Sequence, residues 1–464
     1  MESVAPVRLP ASFRDPSGFV YERDGVLLRQ VNHCYSEDFD LLIGSGLHDE
    51  LTVAGLLLRH EVVSSGLAAG PDAYRVLRPE PVPHISYPYE WSFSQLRDAA
   101  LITLDIQARA LDRGMTLKDA SAFNVQFLRG RPVFIDTLSF ERYSPGTPWV
   151  AYRQFCQHFL APLLLMSRLD VRLGHLLRTY LDGVPVDLAS RLLPRRTWAR
   201  WGVLLHIHLH ARSLARHSAT RLNEMRVQRV GETAMRGLVD NLQSTVRGLR
   251  WHAAGTEWAD YEVTNSYSRE SHEAKVRLVR EYLDSIPGGA GVVWDLGANT
   301  GVFSRVAALS ADRVVAFDID PAAVERNYLR ERDGGDGRIL PLLMDLMNPT
   351  PGLGWAGMER EPWHERGRPD AVMALALVHH LAIAGNVPLV QVARLLAGLA
   401  PWLIIEFVPR SDSQVQRLLG SRRDIFPHYD EAGFEAGFGQ AYRIARSEPL
   451  PGSERRLYLM ERRP

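Results

Sequence analysis

Acidic residues at the ends of apolar runs, two glycines and a histidine pair are the residues of this chain that could do chemistry. In Val293-Trp294-Asp295-Leu296-Gly297-Ala298-Asn299-Thr300-Gly301-Val302 an apolar strand ends at Asp295. Gly297 and Gly301 then permit a tight turn with close backbone approach, and a helix starts at Val302. The run 313–318 ends in Asp318, followed by Ile319-Asp320-Pro321 and a helical stretch over 322–329. Asp318 is thereby placed to accept hydrogen bonds from a ribose diol. A third run, 339–344, ends at Asp345, and a fourth, 369–374, leads through Ala374 into Leu375-Ala376-Leu377-Val378-His379-His380. The two imidazoles suit general-base work near neutral pH. Glu406 sits near the end of a fifth apolar run, where a carboxylate is costly unless paired or functional. It could orient a substrate hydroxyl or amine, or pair with Arg410 or another arginine.

These runs read as parallel strands of an open α/β sheet, with 441–445 and 456–460 as a closing antiparallel pair. Ligands of such sheets bind outside the carboxyl ends of the strands at the topological switch point, so Gly297, Asp318, Asp345, Ala374 and Glu406 are expected on one crevice. A nicotinamide site fits less well, because the first turn lacks the Gly-x-Gly-x-x-Gly spacing.

The ordered series resembles the class I S-adenosylmethionine-dependent methyltransferases over residues 251–464. The resemblance implies a Rossmann-like seven-stranded sheet with S-adenosylmethionine as cofactor. It places Asp295, Gly297, Asn299, Gly301, Asp318, Asp345 and Ala374 at the cofactor, with Asp345 near the adenine amino group and the fourth strand beneath the methionine half. The entry segment 258–268 would fold over the cofactor as a lid, with Tyr267 and Asn265 as contacts or as residues that cap and pack the following helix. His379, His380 and Glu406 are the catalytic candidates; a structural role for either histidine also fits. Stretches 119–140 and 404–429 are similar to bacterial methyltransferases of the nodulation-protein type, which leaves the substrate open.

The amino-terminal half carries a second pattern. Leu117-Lys118-Asp119-Ala120-Ser121-Ala122-Phe123-Asn124 and, beyond the turn Arg129-Gly130-Arg131-Pro132, the run ending in Ile135-Asp136 resemble the catalytic and metal loops of protein and aminoglycoside kinases. That resemblance puts Asp119 at the base position and Asn124 and Asp136 at magnesium-ligand positions. The pattern departs from kinases in having no glycine-rich phosphate loop and no lysine before Lys118. A β-turn-β element whose polar side chains satisfy loop backbone is the plainer alternative.

The expected architecture is α/β: an N-terminal α+β domain over 1–187, reduced and kinase-like; a helical Arg/His-rich connector over 188–250; and a methyltransferase domain over 251–464. His206, His208 and His210 alternate in the connector, but no carboxylate completes a metal site, and a surface or packing role is expected. At 464 residues, with 54 basic and 54 acidic side chains, the neutral balance gives no general argument for nucleic acid or anionic membrane as partner. Two distant cysteines suggest neither a disulfide framework nor a thiolate zinc site and fit a reducing cytoplasm. The start of the chain lacks an apolar core of signal-peptide length, and no apolar tract is long enough to span a bilayer. The functional expectation is a cytoplasmic methyltransferase acting on oxygen of a small molecule or glycan, with the amino-terminal domain positioning the acceptor. The alternatives are an RNA or protein methyltransferase docking through the arginine-rich segment, and a non-catalytic cofactor-binding protein.

Overall fold

The computed structural model describes residues 5–217, 230–253, 269–420 and 425–464. The chain divides into two compact units, residues 1–251 with 352–361, and residues 252–351 with 362–464. The described residues of 188–250, expected as a helical connector, are grouped with the first unit.

Unit 1 opens with β1 (Val7–Arg8), β2 (Gly18–Arg23) and β3 (Val26–Asn32). Asp24 and Gly25 both take positive φ, the geometry of the two-residue turn that joins twisted antiparallel strands. Helices α1 (Ser36–Gly44) and α2 (Leu47–Val53) precede β4 (His60–Val63) and β5 (Ala73–Pro79), and the five strands pair in the order β1-β2-β3-β5-β4. Helix α3 (Phe93–Asp112) starts at a capping box in which Ser92 and Gln95 satisfy each other's backbone amides. Strands β6 (Met115–Leu117), β7 (Val125–Leu128), β8 (Arg131–Phe134) and β9 (Phe140–Arg142) pair as β6 with β9 and β7 with β8. Gln107 of α3 fixes β6, donating to Thr116 Oγ1 at 2.9 Å and accepting from the Leu117 amide at 2.8 Å. Beyond them lie apolar α4 (Ala161–Arg168) and amphipathic α5 (Glu232–Arg247), which packs against α3.

The described elements of unit 2 include α6 (Arg269–Asp284), β10 (Val292–Leu296), α7 (Val302–Ala307), β11 (Arg313–Asp318), α8 (Pro321–Gly334), β12 (Ile339–Leu343), β13 (Ala371–Ala374), α9 (Leu389–Leu399) and β14 (Trp402–Phe407), then α10 (Glu431–Phe438), β15 (Tyr442–Pro449) and β16 (Arg456–Arg462). Seven strands form one sheet in the order β12-β11-β10-β13-β14-β16-β15. The first five pair in parallel, and β16 pairs antiparallel with both β14 and β15. The parallel strands are almost wholly buried, as strands covered on both faces must be. The chain order reverses between β10 and β13, which opens a crevice at their carboxyl ends.

Candidate functional site

The sharp turn after β10 is built by three consecutive demands on the backbone. Gly297, Asn299 and Gly301 all adopt positive φ, and Gly297 donates its amide to Phe317 O at 2.8 Å, tying the turn to β11. The Asn299 amide donates to Asp318 Oδ2 at 2.7 Å, and the Asp320 amide donates to Oδ1 at 2.8 Å. Asp320 in turn caps α8 through the amides of Ala322 and Ala323. The Asp318 carboxylate is therefore locked in place, 8% exposed, with lone pairs left for a ligand. Burial pushes its pKa up to about 6 against the pull of the two amides.

These residues face a crevice of about 340 Å3 whose polar lining includes Asn299, Asp318, Asp345 and His380. Its remaining wall is apolar, with Met344, Met347, Leu375, Leu377 and Leu381 among the contributors. A side chain at Gly297 would enter this space and approach Leu377 Cδ1 to 3.3 Å, so the glycine leaves room for a ligand beside the turn. Asp345 folds back to accept the Met347 amide at 2.8 Å, which shapes the loop after β12. The strand β13 leads into Ala376, a non-glycine residue at φ 50°, and then into a π-helical turn over His380–Ala384. Both are uncommon backbone states that cluster at ligand sites.

Of the expected cofactor residues, Gly297, Asn299, Asp318 and Asp345 line the crevice. Asp295, Gly301 and Ala374 stand behind it. Asp295 is 1% exposed, accepts from Ser304 Oγ at 2.6 Å and has a pKa raised to about 6 by burial. It ties the first turn to α7. Ala374 is buried within β13, and its neighbours Leu375 and Ala376 reach the crevice instead. Gly301 meets the side chain of buried Asn327, where a Cβ would fall 2.4 Å from Oδ1. Gly301→Val adds that clash to a φ of 79° and is expected to destabilise unit 2 by about 1–3 kcal/mol in urea unfolding. Wild-type stability in that variant would remove the role given to the close approach. Tyr267 and Asn265 lie outside the described residues.

The catalytic candidates separate. His380 lines the crevice, and burial lowers its pKa, so its imidazole is neutral at pH 7. His379 packs against it with ring centroids 4.1 Å apart and the planes tilted by 41°, but it is 1% exposed and does not line the crevice. Burial first, then His380 and Arg455, hold its pKa well below the ordinary value.

Glu406 is placed away from the crevice lining and is fully buried. Lys275 Nζ of α6 donates to its Oε2 at 2.6 Å and Arg455 Nη1 to its Oε1 at 3.3 Å, while Arg455 Nε reaches Asp412 at 2.7 Å. Of the two roles expected for Glu406, this arrangement matches the ion pair with an arginine, and the carboxylate is not among the crevice lining. Its partners are Lys275 and Arg455, and Arg410 instead donates to backbone carbonyls around Phe426 and Tyr429. Tyr429 is 3% exposed and donates to Val408 O.

In unit 1, Asp119, Asn124 and Asp136 are brought together. Asn124 Nδ2 donates to Ser139 Oγ at 3.2 Å, and that hydroxyl donates to Asp136. Burial and the Asp136 charge raise the pKa of Asp119, against the hydrogen bonds from Ser121, Gln154 and Asn124. Burial would also raise Asp136, but Arg29, Ser139 and the Leu138 amide outweigh it and hold its pKa low. Arg29 of β3, a residue without a sequence motif to mark it, pairs with Asp136 at 2.6 Å. Lys118 donates to Ser17 Oγ at 2.7 Å and lies over the Tyr35 ring. His206 and His208 are fully buried; the first bonds Tyr152 and Asn241, the second Ser190 and Thr197. They are packing residues.

Among the described residues no helix is long and apolar enough to cross a membrane. No protein-family model matches the chain. It is similar to magnesium protoporphyrin IX methyltransferase of Synechocystis PCC 6803, solved with bound SAH, at 21% identity over 42% of this chain and 84% of that one, with a TM-score of 0.30. It is also similar to the N-methyltransferase NodS of Bradyrhizobium japonicum WM9, at 12% identity over 42% of this chain and 99% of that one, with a TM-score of 0.31. In sequence it is 37% identical to nodulation protein NoeA of Rhizobium meliloti (strain 1021) over 469 residues, which covers 98% of this chain and 96% of that protein. A likeness of that extent, running through both units, makes the chain a member of the NoeA family.

Proposed function

We propose that unit 2 binds S-adenosylmethionine in the crevice and transfers its methyl group to a hydroxyl of a small molecule or glycan. The observation that carries this reading is the position of Asp318, fixed by two backbone amides beside the Gly297–Gly301 turn at the switch point of the sheet. Its remaining lone pairs suit a vicinal diol, as a ribose presents. Gly297 leaves room beside that diol, and Met344 with Asp345 offers an apolar surface next to a hydrogen-bond acceptor, as an adenine ring with its amino group requires. When bound, the sulfonium supplies the electrophilic methyl group.

The chain's own residues have to orient the acceptor and take its proton. The side chains of Leu375, Ala376 and Leu377 after β13 are apolar, so an amine acceptor would find only backbone carbonyls on that segment. His380 is the neutral base on that wall, which favours deprotonation of a hydroxyl. The NodS and protoporphyrin enzymes carry methyltransferase names, and a cytoplasmic location suits the cofactor.

Asp318→Ala should lose two hydrogen bonds to the diol, about 1–3 kcal/mol or roughly tenfold or more in affinity for S-adenosylhomocysteine by calorimetry. In the wild type the same affinity should fall as pH drops through about 6, because the protonated carboxyl no longer accepts at both oxygens. Unchanged affinity in a folded Asp318→Ala protein would refute the assignment.

Unit 1 is read as a kinase-like scaffold that positions the acceptor and transfers no phosphate. The strand order β1-β2-β3-β5-β4, the helices between β3 and β4, and the pairs β6–β9 and β7–β8 around Asp119, Asn124 and Asp136 support that likeness. Arg29 commits its charge to Asp136, and Lys118 bonds Ser17 of the β1–β2 loop, which argues against phosphate transfer.

A further inference from the structure

Unit 1 contains a second cleft, of about 470 Å3, whose lining includes none of Asp119, Asn124 and Asp136. It lies between the end of α2, the segment leading to β4, and the β7–β8 hairpin. Leu57, Leu58, Pro132 and Val133 give it an apolar floor. Arg59, Arg129 and Arg131 line it as well, against one carboxylate, Glu80, which sits 3.5 Å from Arg129. Among the described residues the guanidinium groups of Arg59 and Arg131 have no ion pair, although three like charges share one small opening. Arg129 also holds a position that turn geometry assigns to asparagine, aspartate or glycine: it takes φ 53° beside Gly130 at 72° in the two-residue hairpin turn.

We infer that this cleft binds a small amphiphilic anion, with a carboxylate or phosphate head held by Arg59 and Arg131 and an apolar body laid on Leu57, Pro132 and Val133. The volume falls within the roughly 300–1,000 Å3 usual for small-molecule sites. The planar guanidinium fork matches both carboxylate and phosphate oxygens, and the apolar floor offers a gain that a bare inorganic ion could not use. The inference stands apart from the methyl-transfer reading, because no residue of the crevice takes part.

The test is calorimetric titration of the full chain, saturated with S-adenosylhomocysteine to block the crevice, with decanoate, decyl phosphate and decanol. One anion should bind at a single saturable site at least tenfold more tightly than decanol, and the better of the two heads identifies the natural chemistry. The double variant Arg59→Gln, Arg131→Gln should lose at least tenfold in that affinity at an unchanged unfolding midpoint, while Glu80→Gln, which removes the competing carboxylate, should tighten binding. Equal binding of decanol, unchanged binding in the double variant, or no saturable binding of either anion would each overturn the proposal.

Discussion

Glu406→Ala is expected to destabilise unit 2 by about 3–5 kcal/mol, the cost of breaking a buried ion pair by removing one partner. The carboxylate is fully buried between Lys275 and Arg455, themselves 3% and 2% exposed at the side chain. Removing it strands Lys275 in a site where burial already lowers its pKa and Glu406 opposes that shift. The paired replacement Lys275→Met with Glu406→Leu takes away both charges and should cost far less, since Arg455 keeps Asp412 at 2.7 Å. Hydrogen exchange reads the difference directly: amides of β14 and α6 should lose about a hundredfold or more in protection in the single variant. Near-wild-type protection would show that the network contributes little. A fall in turnover at unchanged stability would return Glu406 to the catalytic machinery.

His380→Gln should lower kcat by about 10²–10⁴-fold, the usual contribution of a positioned general base, with little effect on cofactor affinity. The imidazole faces the crevice and its pKa is lowered by burial. The wild-type rate should therefore be level through neutral pH and decline only below the ordinary histidine range, where the base becomes protonated. Glutamine keeps a polar group of similar reach but cannot accept the proton. A variant with full kcat and the same pH profile would remove His380 from the mechanism.

The parallel strands were legible because each apolar run is short and most end in or beside an acidic residue; β10 to β14 fall where those runs lie. Asp318 could be placed on the crevice from its strand end, since the crevice follows from the sheet topology. Glu406 has the same local pattern and a different role, because its partner Lys275 lies 131 positions away on α6. Strand periodicity carries no trace of that contact. The two histidines are adjacent in sequence, and which one faces the crevice is set by the π-helical turn that begins at His380. Arg29 escaped attention because an arginine inside Val26-Leu27-Leu28-Arg29-Gln30-Val31 reads as one strand residue among apolar ones. Its pairing with Asp136 depends on how β3 meets the loop after β8, a tertiary relation.

Transfer of a methyl group to a hydroxyl is the central proposal for unit 2. The measurement that meets this most directly is incubation of the full chain with methyl-labelled S-adenosylmethionine and a cell extract, followed by fractionation into small molecules and glycans, protein, and RNA. The expected result is label in the small-molecule or glycan fraction, held as an oxygen-bound methyl group, present with the wild-type chain and lost with His380→Gln. Label in protein or RNA, or no chain-dependent label while S-adenosylhomocysteine still binds, would contradict it.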